Sequence, residues 1–393
     1  AASDVKNIND LLKKDTLQVD IDSTGSVCFL NNDYVIFDFE KEVNGGIRLL
    51  TSSISKNGRI RLRFGESLTE TCVDIDDVSC ATNDHAFRDF EVSVPAMSDQ
   101  TFGQTGFRFV RIDFYGDFWN VQHIVGAIDI DSRKEVGVFK SNDKLLNEIW
   151  NVASYTLRVN LHNGLIWDGV KRDRLCWIGD AYNEIKALEC LYKKQNEIKN
   201  ILDFTYNGVK NVFFDVNMVP TSYTLWWIII LLEKYKHDDD EDYLKKSMST
   251  LEYLIKKIGT YIDDDGNVNF PFNFVDWPTH CRSIENEFDK IKIHDERVGV
   301  NALALIALKK LREVLNKLNI KTLDNELNNS ITKLDKSNYN VKHFKQVAAL
   351  VTLADKENKE CLDILINGKA KGVSTFQSYV ILSALAKINK YDD

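Results

Sequence analysis

No apolar run in this chain is long enough to cross a bilayer. The longest strongly apolar stretch, Leu225 to Leu232, falls far short of the roughly 20 residues a spanning helix needs. A positive excess is also missing. The formal net charge is -9 over 393 residues, which argues against nucleic acid or an anionic membrane surface as the main partner. The seven cysteines are odd in number, irregular in spacing and free of any CxxC pair. They read as mostly buried thiols, without a disulfide framework or a structural zinc site. No HxxxH pair and no P-loop or dinucleotide fingerprint occurs, so neither a metal nor a cofactor is expected. No fixed repeat of the solenoid kind is present. No signal peptide is visible, and the Ala1-Ala2-Ser3 start suits a mature exported protein as well as a cloning remnant. Nothing in the sequence fixes an oligomeric state.

What is present is an ordinary globular balance, 44% apolar and 28% charged, over a length that suggests two or three domains at roughly 150 residues each. The first third reads as β. Arg59 to Phe64 and Arg108 to Phe114 alternate charged and apolar residues, the period of a strand with one wet face and one dry face. Tyr34 to Phe39, Ile47 to Leu50, Phe90 to Val94 and Ile124 to Ile130 are further strands, with turns read at Asn44-Gly45-Gly46 and Asn57-Gly58. Short strands without intervening helices predict an antiparallel sandwich over residues 1–135. His85 lies in this part and reads as a packed or surface residue rather than a ligand.

From about Ser141 the apolar spacing becomes helical. Leu145, Ile149 and Val152 share one face, and Ser141 or Asp143 would cap the start. Further helices are predicted over 180–204, 222–236, 241–262, 296–318, 320–334, 341–355 and 374–389, the last capped by Ser374. Leu225 to Leu232 is apolar on every side, so that helix should lie between others. Cys281 to Lys290 reads as a loop insertion. The expected architecture is a β-sandwich followed, over residues 136–393, by an incomplete (α/α)6 toroid.

The segment that carries chemistry is Trp167-Asp168-Gly169-Val170-Lys171-Arg172-Asp173-Arg174-Leu175-Cys176-Trp177-Ile178-Gly179-Asp180. It packs three carboxylates, three cations and two tryptophans into fourteen residues between predicted helices. A salt-bridged surface loop would explain the charges but has no need of the tryptophans and glycines. Sugar sites need what this segment offers: carboxylates for hydroxyl pairs, aromatic faces for the C–H side of a ring, and an acid to protonate a glycosidic oxygen.

This segment resembles the acidic signature of the α-L-rhamnosidase glycoside hydrolases, Asp-Gly-x-Lys-Arg-Asp-Arg-Leu-x-Trp-x-Gly-Asp. Arg63 to Leu68, Asn83 to Asp89 and Gly106 to Ile112 look like that family's sandwich segments. Leu225-Trp226-Trp227, Phe274 to Pro278 and Gly372 to Phe376 look like its barrel segments. The resemblance implies hydrolysis of terminal α-L-rhamnosyl linkages with inversion, by an acid and a base roughly 6.5–9.5 Å apart. It places Asp173 as the general acid, where many relatives have Glu. It sets Asp168 and Asp180 on the sugar hydroxyls and makes Trp177 an aromatic wall. Trp277, and one of Trp226 or Trp227, are candidates for further walls, and His280 is a candidate to reach the same sugar. Arg172 and Arg174 either orient the carboxylates by bidentate pairing or serve as ordinary salt-bridge partners.

The resemblance also implies a base in a Trp-Glu motif after the helix that begins with Gly372-Val373-Ser374. No Trp follows Trp277, so the base and the last barrel helices are expected beyond these residues. Glu184, Glu285, Glu287 and Asp289 are not read as substitutes. The alternatives are a sugar-binding protein without catalysis, and a different sugar specificity on the same barrel.

Overall fold

The computed structural model describes residues 2–12, 26–56, 58–74, 88–214 and 219–391. Asn57 of the Asn57-Gly58 turn, and residues 83–87 with His85, lie outside the described residues. The chain divides into two compact units, Ala1–Cys176 and Trp177–Asp393.

The first unit is built on strands β1 (Val27–Leu30), β2 (Tyr34–Ile54), β3 (Arg59–Gly65), β4 (Asp89–Ser93), β5 (Ser98–Tyr115) and β6 (Phe118–Ile128). All neighbours pair antiparallel, in the order β1-β6-β2-β5-β3-β4. Phe29 of β1 stacks on Phe114 of β5 at 4.0 Å although two strands separate them in that order. The sheet therefore folds over its own core, which Ile47, Leu62, Phe64, Phe107, Phe114 and Trp119 fill. Asn44-Gly45-Gly46, expected as a turn, instead lies inside β2 at a register shift. Gly45 has φ of 146°, and a Cβ there would meet Ala127 O at 2.1 Å. The glycines permit a bulge and a close backbone approach rather than a chain reversal.

A short helix α1 (Leu68–Cys72) follows β3. Helix α2 (Lys144–Asn160) is capped by the Asp143 carboxylate, which accepts from Leu145 N–H. Leu145, Ile149 and Val152 share a face as their spacing requires, but that face is exposed. The ribbon β7 (Leu161–His162) and β8 (Leu165–Ile166) leads into the charged segment.

The second unit is helical: α3 (Ala181–Leu191), α4 (Asn196–Asn211), α5 (Tyr223–Asp238), α6 (Glu241–Lys246), α7 (Met248–Thr260), α8 (Glu287–Lys317), α9 (Asp324–Leu334), α10 (Lys345–Leu353), α11 (Lys359–Ile366) and α12 (Ser378–Lys387). Helices α5, α8, α10 and α12 pack in succession, while α4, α7 and α9 form a second row behind them. Every residue of α5 from Tyr223 to Tyr235 is buried, as its all-round apolar sequence requires.

Five local expectations change, one being the helix read over 241–262, which is two, α6 and α7, joined at Ser247. The helix read over 180–204 is two, because the chain turns extended at Tyr192 with no glycine or proline to announce it. Glu287 to Lys290 is not a loop but the first turn of α8, fixed by an Asn286/Asp289 capping box. Helix α11, started by Asn358 accepting from Cys361 N–H, was absent from the sequence reading. Ser374 accepts from Gln377 N–H, but the last helix begins only at Ser378.

Candidate functional site

In the first unit, Lys171 anchors the charged segment. It is buried and pairs with Glu70 and with Glu66, the latter at 3.4 Å. Gly106 of β5 lies beneath Val170, where a Cβ would come within 2.6 Å of a Val170 methyl. Burial and the neighbouring Glu66 charge push the Glu42 carboxyl up to about 7, against the pull of Lys171.

The segment closes on itself through Asp168. Its N–H donates to Leu175 O at 2.9 Å, and its Oδ1 accepts from Leu175 N–H at 2.9 Å. Burial holds the Asp168 carboxyl above the usual range, the Leu175 N–H opposes this, and the Asp173 charge adds to it. Asp173 and Arg174 are successive left-handed residues, with φ of 58° and 53°. Arg172 reaches Asp173 by one contact of 3.6 Å, so the pairing is not bidentate. Arg174 lies over the Trp167 ring at 4.4 Å and donates to Gln104 O at 2.7 Å.

In the second unit the loops before the long helices are tied together. Ser222 Oγ donates to Phe274 O at 2.6 Å, Gln377 Nε2 to Val275 O at 3.1 Å, and Gln346 Nε2 to Asp276 Oδ2 at 3.3 Å. A row of rings crosses these loops. Trp177 meets Tyr223 at 6.5 Å, Tyr223 meets Phe274 at 5.9 Å, and Phe274 meets Trp277 at 5.2 Å. His280 touches Phe272, Phe274 and Trp277 at 5.2, 5.7 and 6.0 Å. Trp277 is 68% exposed, whereas Tyr223 and Phe274 are buried.

Two carboxyls beneath the rings were not singled out from the sequence. Asp276 is buried, accepts from Trp277 N–H at 2.8 Å and bonds Ser374, and burial raises its carboxyl. Glu296 of α8 is buried with one oxygen 3.3 Å from His280 Nδ1. Desolvation pushes the Glu296 carboxyl up to about 8, and burial with the nearby Arg282 charge lowers His280. Both shifts run toward the uncharged forms of the pair. Asp180 stands at the start of α3, where its side chain makes no capping hydrogen bond. Trp227 is corrected as a wall residue: it is 1% exposed, and its Nε1 donates to Leu202 O at 3.3 Å inside the helical core. Its neighbour Trp226 packs on Tyr182 at 4.8 Å and lines a cavity of about 300 Å³.

Gly179 is needed for this row. A Cβ there would meet the Tyr223 ring at 2.2 Å. Gly179→Ala is expected to displace Tyr223 and cost about 1–3 kcal/mol, measurable by urea unfolding with a change in near-ultraviolet circular dichroism.

Residues 134–347, more than half of the chain, match the profile of the bacterial alpha-L-rhamnosidase six-hairpin glycosidase domain. The chain belongs to this rhamnosidase family. Solved rhamnosidases share its fold. One from Klebsiella oxytoca with rhamnose bound is 16% identical, with a TM-score of 0.71 over 93% of this chain and 77% of that one. One from a Bacillus species is 14% identical, with a TM-score of 0.69 over 91% of this chain and 40% of that one. One from Streptomyces avermitilis, complexed with L-rhamnose, is 12% identical, with a TM-score of 0.62 over 95% of this chain and 38% of that one. The chain thus spans about two fifths of the length of the latter two. A sequence search of curated proteins finds no match. An antiparallel sheet region followed by a six-hairpin glycosidase region is the architecture of this rhamnosidase-family chain.

Proposed function

We propose that this chain is a glycoside hydrolase acting on terminal α-L-rhamnosyl linkages with inversion. Asp173 is the general acid, Asp168 and Asp180 hold sugar hydroxyls, and Arg172 contributes to substrate binding. Trp177 and Trp277 form the aromatic wall, and His280 stands behind Trp277. Family membership supports the reaction class. The observation that carries the residue assignment is the pair of left-handed residues at Asp173 and Arg174. Such backbone costs about 1–3 kcal/mol per residue and gathers where a side chain must be presented. The beginning of the family match at residue 134 supports a helical domain from about 136.

The test is hydrolysis of methyl α-L-rhamnoside, whose alkoxide leaving group must be protonated, beside an Asp173→Asn variant. Loss of a general acid should lower kcat about 100- to 10,000-fold for a poor leaving group, with rhamnose affinity little changed. Equal rates in the two proteins would end the assignment of Asp173. Binding of rhamnose without turnover in either would instead favour a carbohydrate-binding protein.

A further inference from the structure

A second cavity lies in the helical unit, beside the aromatic row, and its lining includes none of the carboxylates assigned above. Its volume is about 530 Å³, within the range of sites that enclose a small ligand. Lys342, His343, Lys345 and Lys371 line it, and no Asp or Glu does. Lys345 is 6% exposed and its Nζ donates to the Lys369 carbonyl. Among the described residues none of these three lysines has a carboxylate within ion-pair distance. Burial accordingly lowers the Lys345 ammonium, and no acidic neighbour opposes it.

One carboxylate bound to this segment is already engaged. Asp295 lies fully buried, and its oxygens accept from the N–H groups of Lys342, His343 and Phe344. It holds the lysine-bearing segment from behind rather than facing the cavity. A desolvated ammonium without a counter-charge is costly, and three cations around one hollow attract an anion.

The cavity is not purely polar. Phe344, Ile364 and Val373 give it an apolar side suited to the C–H face of a sugar ring. Pro278, next to Trp277, forms part of its edge, and so does Ser374, which bonds Asp276. We propose that this cavity is a subsite for an anionic sugar, a uronate whose carboxylate meets Lys345 and Lys371, so that the ligand is a rhamnosyl unit borne on an acidic glycan. The proposal rests on the rhamnosidase reading for the neighbouring sugar, while the anion site itself rests on the lysines alone.

The test is calorimetry of the full chain with a sulfur-linked rhamnosyl-galacturonate, which resists hydrolysis, with its neutral methyl ester, and with L-rhamnose alone. The acid should bind about tenfold more tightly than the ester, the worth of a charge-assisted contact. That ratio should shrink in high salt and vanish in Lys371→Gln, an exposed position where folding is not at risk, and in Lys345→Met. L-rhamnose affinity should stay unchanged in both variants. Equal binding of acid and ester, or a variant that weakens both alike, would overturn the proposal. A 6-sulfated galactose analogue binding more tightly than the uronate would overturn the carboxylate assignment. An acid preference for the methyl glycoside of galacturonate, with no binding of L-rhamnose, would support the subsite while sinking the rhamnosidase reading.

Discussion

Asp295→Ala is expected to destabilise the helical unit by about 3–5 kcal/mol, the usual result of removing one partner from a buried charged network. The carboxylate is fully buried on α8 and serves three successive backbone donors that precede α10. Oδ1 accepts from Lys342 N–H at 2.9 Å, and Oδ2 accepts from His343 N–H at 2.8 Å and Phe344 N–H at 3.1 Å. His294 Nδ1 lies 3.0 Å from Oδ1. These donors precede the first residue of α10, so none of them has an intrahelical acceptor. Alanine leaves all three without this acceptor, the Phe344 N–H among them buried, and a stranded buried group costs about 1–3 kcal/mol. Asp295→Asn should fall between wild type and alanine. Its one oxygen can keep the His343 and Phe344 donors, but its amide would then point N–H at N–H toward Lys342. Urea unfolding of the three proteins checks the order. An asparagine variant as stable as wild type would show that the Lys342 contact contributes nothing.

Asp295 also shows where sequence reading stops. The Trp167–Asp180 segment was legible because its composition is odd for a surface: tryptophans and glycines among charges need a reason other than solvation. The all-round apolar stretch at Leu225 to Leu232 was legible for the converse reason, since no exposed helix can carry it. His294-Asp295-Glu296-Arg297 offered no such contradiction. Four polar residues in a row on a helix ordinarily read as a wetted face, and nothing local tells that Asp295 and Glu296 are buried. That fact belongs to segments about fifty residues later and sixteen residues earlier, Lys342–Phe344 and His280. Gly45-Gly46 misled in the same way. Its φ and its contact with Ala127 depend on β6, which the local sequence does not contain. Leu145, Ile149 and Val152 show the reverse, since their spacing located the helix correctly but could not say whether the shared face was covered.

Glu296 gives the second large effect, and it depends on pH. Its carboxyl titrates at about 8 in the folded protein, against an ordinary value of 4.5. Between those values the folded state binds one proton more than the unfolded state, so stability must fall as pH rises. The slope from this one group is about 1.4 kcal/mol per pH unit. Its stabilising bias is fully present below pH 4.5 and is lost by about pH 8. Glutamine keeps the shape and a neutral head but cannot titrate. Glu296→Gln should therefore match wild type near pH 4.5 and exceed it progressively, by several kcal/mol, toward pH 8. Glu42, in the first unit, titrates in the same window but is present in both proteins and cancels in the difference. Urea unfolding at pH 5, 6.5 and 8 measures that difference directly. A constant gap would mean that burial does not raise the Glu296 carboxyl in the fold.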